Sequence, residues 1–493
     1  MLGIMNKRGK QMKSNIDLAL SNLIYYHQQN NIITNDDTVY FFNKLLEKLA
    51  LSSGQLHSPT IENIEEILDA IALFAIRNNL IDDYNETIDN FKTQLMDIFL
   101  PAPSFVIKTF NELYKTSPKK ATDYFYDLMI KTNYIRKYSI QKNLSWESNT
   151  KYGKIGITIN LSKPEKDPRT IALVLKQQTN KYPKCMLCQE NIGYAGRIDH
   201  PSRANLRFIP ITLNNEEWFI QYSPYSYYDE HCIAFSKQHK PMVINETTFK
   251  EMIDFVDHFP HYFIGSNADL PIVGGSILTH HHFQGGLPQF PLFKANALET
   301  ITLQNATVEY LNWPLDTIKI EAKNKDDLIT LSTKILNTWR NYTDKEIEII
   351  SKTDNEHNTI TPICIKRENY EMYLMLRNNR TTSKFPYGIF HPSEDLHHIK
   401  KENIGLIEAM GLAILPGRLK QELELCKQYI LNNTDPGHHK TWLDSLENKE
   451  PTNDYLYQEV SKVFQKVLES CSVFKYSKNK QEEFKKLIAK SNL

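Results

Sequence analysis

Three consecutive histidines, His280, His281 and His282, stand between two glycine pairs, Gly274-Gly275 and Gly285-Gly286, and Gln284 follows two residues after the last of them. A neutral imidazole, with an ordinary pKa near ~6.5, is a competent nucleophile at neutral pH. Attack on an α-phosphorus would leave a phosphoramidate, a bond reactive enough to be handed to a second acceptor. The glycine pairs leave backbone bare of side chains, so a phosphate could approach the amides closely. If the stretch is a strand, residues two apart share a face. His280, His282 and Gln284 then point one way, and His281 and Phe283 the other. A bare histidine run also reads as a surface or metal-binding tract; the glycines and the in-register glutamine favour phosphate chemistry.

Two further stretches carry polar or aromatic side chains at suggestive spacing. Cys185-Met-Leu-Cys188 is half of a zinc site, because thiolates this close in a tight turn both reach one tetrahedral ion. No second C-x-x-C occurs, so any remaining ligands must be histidines, and two unliganded thiols in a turn stay the alternative. Gln221-Tyr-Ser-Pro-Tyr-Ser-Tyr-Tyr-Asp-Glu-His231 packs four tyrosines into a loop-like segment. Aromatic faces hold a base or a sugar, though they more often serve as plain core.

Elements must position these residues, and their pattern changes along the chain. Ser58-Pro59 and Ser117-Pro118 carry helix-start signals. Ile61, Ile64, Ile67, Leu68, Ile71 and Ala75 repeat at three and four, the stripe of an amphipathic helix. From about Lys154, Ile155, Ile157, Ile159 and Leu161 alternate with polar residues, the period of a half-buried strand. Short strands are expected at 206–212, 218–222, 231–235, 274–284, 307–311 and 318–321, with helices at 246–259, 326–342, 403–410, 419–431 and 455–470. Strands mixed with helices in no strict alternation predict an α+β fold with a largely antiparallel sheet.

The 493 residues allow about three domains. Lys plus Arg (58) equals Asp plus Glu (58), so the net electrostatic footprint of a nucleic-acid binder is absent, which leaves room for a local basic groove but not for a basic protein. With 17 glycines and no G-x-G-x-x-G or P-loop motif, the usual dinucleotide and P-loop readings fall away. No apolar run approaches the ~18–20 residues that span a bilayer, and no secretory signal is visible. Six cysteines in so long a chain are too few for a disulfide framework, and four of them (Cys232, Cys364, Cys426 and Cys471) are widely spaced, which predicts reduced thiols and a cytoplasmic protein.

Together the stretch Asp269-Leu-Pro-Ile-Val-Gly-Gly-Ser-Ile-Leu-Thr-His-His-His-Phe-Gln-Gly-Gly286, the segment Tyr222-Ser-Pro, Gly265-Ser-Asn267, and the run from His397 through Glu408 to Pro416-Gly-Arg418 resemble the galactose-1-phosphate uridylyltransferases of the second, Firmicute-type class, within the histidine-triad superfamily. The resemblance covers most of the chain. It implies a helical N-terminal region (1–150), a histidine-triad-like catalytic domain (151–300), a second such domain (301–430) and a helical C-terminal tail (431–493). It also implies reversible UMP transfer from UDP-glucose to galactose 1-phosphate, giving UDP-galactose and glucose 1-phosphate by a ping-pong route. His282 takes the nucleophile's place and Gln284 that of the phosphate-binding glutamine, where hydrolytic relatives carry a third histidine. Asn267, Gly274, Gly275 and Ser276 are further candidates for substrate contacts. A structural zinc on Cys185, Cys188, His239 and His280 is implied by the better-known first class, as is a homodimer; no organic cofactor, nucleic acid or membrane partner is implied. Thr279 and His281 depart from the family pattern, the latter standing where an acid or amide is usual; a shifted frame would make His281 the nucleophile. The remaining alternatives are another histidine-triad nucleotidyl transferase or hydrolase, and a nucleotide-sugar-binding protein without turnover.

Overall fold

In the computed structural model of the chain, residues 2–60, 63–162, 181–275 and 277–492 are described; Ile61 and Ser276, both named above, lie outside them. The chain divides into two compact units. One comprises Met1–Gln141, Pro164–Pro210 and Ile220–Ser226; the other comprises Lys142–Lys163, Ile211–Phe219 and Tyr227–Leu493.

The first unit is built on helices Leu2–Gln29, Thr38–Lys48, Ile64–Arg77, Asn85–Asp97, Pro103–Tyr114 and Pro118–Lys131. The expected stripe is buried: Ile64, Ile67, Leu68, Ile71 and Ala75 pack with Leu20, Leu23, Leu45 and Leu95. Ser117 caps its helix as expected, its side chain accepting from the Lys120 amide. The start at Ser58-Pro59 does not hold. That helix begins at Ile64, with Asn63 accepting from the Glu66 amide. The reason lies in the helix Leu2–Gln29, whose side chains supply the hydrogen bonds of the preceding segment. Asn22 accepts from the Thr60 amide at 2.8 Å, and the Ser21 hydroxyl accepts from the His57 amide at 3.0 Å. Backbone satisfied this way has no need to coil.

Two sheets belong to the second unit, apart from residues 209–210 and 220–222 at the ends of two strands of the larger one. Strands β1 (Leu144–Thr150), β2 (Gly153–Asn160) and β13 (Leu412–Pro416) form a small one, β1 antiparallel and β13 parallel to β2. The large one has ten strands: β3 (Ile209–Leu213), β4 (Glu216–Tyr222), β5 (Cys232–Ser236), β6 (Phe263–Gly265), β7 (His282–Gly286), β8 (Ala297–Thr302), β9 (Ala306–Leu311), β10 (Thr317–Ala322), β11 (Asn358–Lys366) and β12 (Tyr370–Asn378). Their spatial order is β3-β4-β5-β7-β6-β11-β12-β10-β9-β8. Read from its outer edge inward, each half has one plan: three strands in succession, a helix, then two strands of which the second inserts beside the third. The helices are Glu246–His258 in the first half and Lys325–Arg340 in the second. The plan repeats although no residue-level repeat is visible. The fold is α+β with mainly antiparallel pairing.

Only the end of the expected strand 274–284 is one. Ile272, Gly274, Gly275 and Ile277 all take positive φ (75°, 116°, 69° and 62°), which breaks the pleat before β7 begins at His282. Asp269 pins the start of this loop, accepting from the Ile244 amide at 2.9 Å and from Arg340 Nη2 at 3.1 Å. Among the described residues no helix is long and apolar enough to cross a membrane.

Candidate active site

Strand β7 fixes the direction of each histidine-run side chain. On one face lie His281 and Phe283, both packed on Trp218 with ring centroids 5.1 and 5.0 Å away. Helix Glu246–His258 covers that face, and its Glu251 carboxylate accepts from His281 Nε2 at 2.8 Å in a buried pair. On the other face lie His282 and Gln284, whose strand partners are Phe235 and Gly265. A Cβ at residue 265 would stand 2.8 Å from Leu406 Cδ1, so a side chain there would require the Leu406 side chain to shift.

The His282 ring is held in one tautomer. Its Nδ1 lies 2.7 Å from the His280 carbonyl oxygen, an acceptor only, so Nδ1 carries the hydrogen. Nε2 is then the lone-pair nitrogen. Burial pushes the His282 pKa down to about 4, with the neighbouring His280 and His281 acting in the same sense, so the ring is neutral at pH 7. Its residual exposure is 5%. A neutral imidazole with one nitrogen committed and the other basic is what nucleophilic attack on phosphorus requires.

Gln284 is oriented by a residue that spacing alone did not single out. His231 Nε2 lies 3.1 Å from Gln284 Oε1. The amide oxygen only accepts, so the imidazole N–H donates and the amide nitrogen of Gln284 is left as donor for an anion. Burial pushes the His231 pKa down to about 4, which keeps it neutral. Its ring stacks on Tyr228 at 4.4 Å, and the Tyr228 hydroxyl donates to the Gly285 carbonyl at 2.9 Å. Glu251 also escaped the sequence reading. Its signal was an acid among the apolar positions Phe249, Met252 and Phe255 of one helix.

Asn267 and Gly274 both lie against the segment Ile404–Leu406. Asn267 accepts through Oδ1 from the Leu406 amide at 2.9 Å, so its amide nitrogen is the group available to a ligand. Gly274 tolerates no side chain: at φ 116° a Cβ would lie 3.1 Å from the Ile404 carbonyl. The β-branched Ile272 and Ile277 at positive φ flank the glycine pair, and such strain clusters at ligand-binding loops.

Cys185 and Cys188 bring their sulfurs to 3.5 Å. Zn–S bonds of about 2.3 Å set the sulfur–sulfur edge of a tetrahedron at ~3.8 Å. Asn191 braces the turn by donating to both cysteine carbonyls at 2.8 Å. His239 and His280 stand with ring centroids 4.9 Å apart. His280 donates from Nε2 to the Ser236 carbonyl at 2.8 Å, which makes Nδ1 its lone-pair nitrogen, the arrangement of a metal-ligating imidazole. Two thiols and two imidazoles are donor types compatible with structural zinc.

Comparison with known proteins gives a consistent result. The chain matches the family described as Galactose-1-phosphate uridyl transferase, N-terminal domain, over residues 27–241, and its C-terminal domain over residues 252–444. It is 49% identical over 440 residues to the galactose-1-phosphate uridylyltransferase of Clostridium acetobutylicum, covering 86% of this chain and 88% of that one. It is 45% identical over 499 residues to that of Clostridium perfringens strain SM101, covering 97% and 99%. Against that of Fusobacterium nucleatum it is 44% identical over 496 residues, covering 95% and 97%. Among solved structures, yeast Ap4A phosphorylase Apa2 is similar with a TM-score of 0.37 and 9% identity, covering 66% of this chain and 95% of that chain.

Proposed function

The chain belongs to the galactose-1-phosphate uridylyltransferases, and from that membership we propose how its own residues perform the reaction. The enzyme acts on a nucleotide sugar and a sugar phosphate, transferring UMP reversibly from UDP-glucose to galactose 1-phosphate. In the proposed mechanism His282 Nε2 attacks the α-phosphorus of UDP-glucose in line. An N–P bond forms as the P–O bond to glucose 1-phosphate breaks, and the electron pair leaves with that phosphate. A phosphate is a good enough leaving group to depart without a general acid, so an amide at position 284 suffices. Galactose 1-phosphate then attacks the uridylyl-histidine and restores the free ring. The His280 carbonyl, accepting from Nδ1, offsets the positive charge that the ring acquires on substitution.

Gln284 Nε2 donates to the non-bridging phosphate oxygens, and it holds them without offering a proton that would help water compete. Asn267, Gly274, Gly275 and Ser276 are proposed to line the diphosphate. Cys185, Cys188, His239 and His280 are proposed to hold a zinc ion that steadies the His280 ring; the transfer needs no chemistry from it. The repeated strand plan supports domain limits of 151–300 and 301–430 for the two histidine-triad-like parts, with 1–150 and 431–493 as helical additions. Its charged substrates do not cross a bilayer unaided, which supports a cytoplasmic place, and the family resemblance supports a homodimer.

The observation that carries this reading is the neutral His282 ring with Nδ1 committed to a carbonyl. Incubation with UDP-glucose followed by intact mass and peptide mapping tests it. A UMP adduct on His282 is expected, with none in His282→Asn. An adduct on His281, or full transfer by His282→Asn, would move or remove the nucleophile.

A further inference from the structure

Away from this site, Glu422 on helix Leu419–Asn432 and the turn Gly437–His439 bring together a second set of donors. One donor atom from each of Glu422, His438 and His439 lies within 4.8 Å of the others. Glu422 Oε2 stands 3.1 Å from His439 Nε2 and 3.8 Å from His438 Nε2. Metal–nitrogen and metal–oxygen bonds of about 2.0–2.2 Å set the edges of a tetrahedron at ~3.3–3.6 Å, so these spacings bracket a shared ion. A cationic group already stands among them: Arg418 Nη1 is 2.5 Å from Glu422 Oε2 and 3.4 Å from His438 Nε2. The His439 side chain is 1% exposed, whereas His438 is 54% and Arg418 38% exposed. Arg418 therefore has solvent to swing into, and His439 is a fixed anchor.

His398 completes the arrangement from behind. Its Nδ1 lies 3.1 Å from His439 Nδ1, so one of the two nitrogens must carry the shared hydrogen. When His439 holds it, His439 Nε2 presents a lone pair towards the Glu422 carboxylate, an orientation that repels unless a cation lies between. When His398 holds it, His439 Nε2–H donates to Glu422 and no ion is needed. Two neutral tautomers of the pair thus serve a loaded and an empty state with no net proton change. The loaded state has the outer-shell partner that metal-bound histidines regularly show.

We propose that Glu422, His438 and His439 form a binding site for a divalent transition ion of the zinc, cobalt or nickel class, with His398 as outer-shell partner and Arg418 as the displaceable group that fills the empty site. Two imidazoles and one carboxylate suit such an ion and not magnesium or calcium, and the fourth position is open to water.

Cobalt(II) titration of chelator-stripped full-length protein tests this. Cobalt on the cysteine pair shows thiolate charge transfer, whereas cobalt at the second site shows ligand-field bands alone. A second equivalent of that spectral type is expected, lost in His438→Ala and in Glu422→Gln, whose metal-free unfolding curves report that the fold is kept. His398→Leu should weaken it by about 10–100-fold, and Arg418→Gln should tighten it about tenfold or more, because a competing unit charge is gone. The absence of bands beyond those with charge transfer would overturn the site. So would a second equivalent that survives both ligand variants, or unchanged affinity in Arg418→Gln.

Discussion

Replacing His231 with phenylalanine isolates what one hydrogen bond contributes to the aim of the Gln284 amide. The phenyl ring is larger than the imidazole but offers an aromatic face for the stack on Tyr228, 4.4 Å away, and the 3.1 Å contact to Oε1 is lost. A neutral hydrogen bond of this kind contributes about 0.5–1.5 kcal/mol net. Without it the amide also flips between two nearly equivalent orientations, only one of which offers N–H to phosphate. At 1.4 kcal/mol per tenfold, kcat/KM should fall by about 3–10-fold. Gln284→Ala, which deletes the phosphate donor itself, should cost about 10²–10³-fold. Folding stability should barely move, because His231 Nδ1 has no partner and its removal offsets the lost bond. Single-turnover formation of the uridylyl-enzyme is the assay, run as a double-mutant cycle. In the Gln284→Ala background His231→Phe should have no further effect. An equal loss in both backgrounds would refute the idea that His231 acts through the glutamine.

Gln284→His should raise hydrolysis of UDP-glucose relative to transfer, measured as product ratio with and without galactose 1-phosphate; an unchanged ratio would count against the amide's role in sparing the intermediate. His27, His231 and His282 are buried with pKa values pushed down to about 4. An unfolded histidine takes its proton near ~6.5, so the unfolded state binds more protons between pH 6.5 and 4 and stability falls as pH falls through that window, by up to about 3 kcal/mol per ring. Urea unfolding at several pH values should show this slope, and His282→Asn should reduce it. Glu251→Leu leaves His281 Nε2 buried without its acceptor and should cost about 1–3 kcal/mol of stability, most of it recovered when His281→Phe is added; a single variant as stable as the parent would show that the buried pair contributes nothing.

What the sequence made legible tracks how locally each feature is determined. The isoleucine stripe from Ile64 to Ile71 reports one buried face, and the strand expected from Ile155 to Ile159 forms with its isoleucines buried, although Thr158 and Asn160 of its other face are buried too. Strands β11 and β12 gave no such signal because nearly all their residues are buried on both faces, so no alternation exists to read. The expected strand before His282 failed on backbone conformation: positive φ at two isoleucines has no signature in residue type. The histidine run and its glutamine stood out through spacing. His231 and Glu251 did not, since each matters only through a partner about 53 and 30 residues away.

The strand plan that occurs twice in the ten-stranded sheet separates two demands that compete within a single small domain. Where β7 carries polar groups and glycines, β12 occupies the matching place with Met372, Leu374 and Leu376, all fully buried. One copy is thereby released from reactivity and devoted to cohesion, while its twin tolerates distorted backbone and uncharged imidazoles packed away from water. Polar substitutions at Met372, Leu374 and Leu376 of β12 should therefore act as folding defects and those at His282 and Gln284 of β7 as defects in turnover, so lesions in the matching strands would leave opposite biochemical fingerprints.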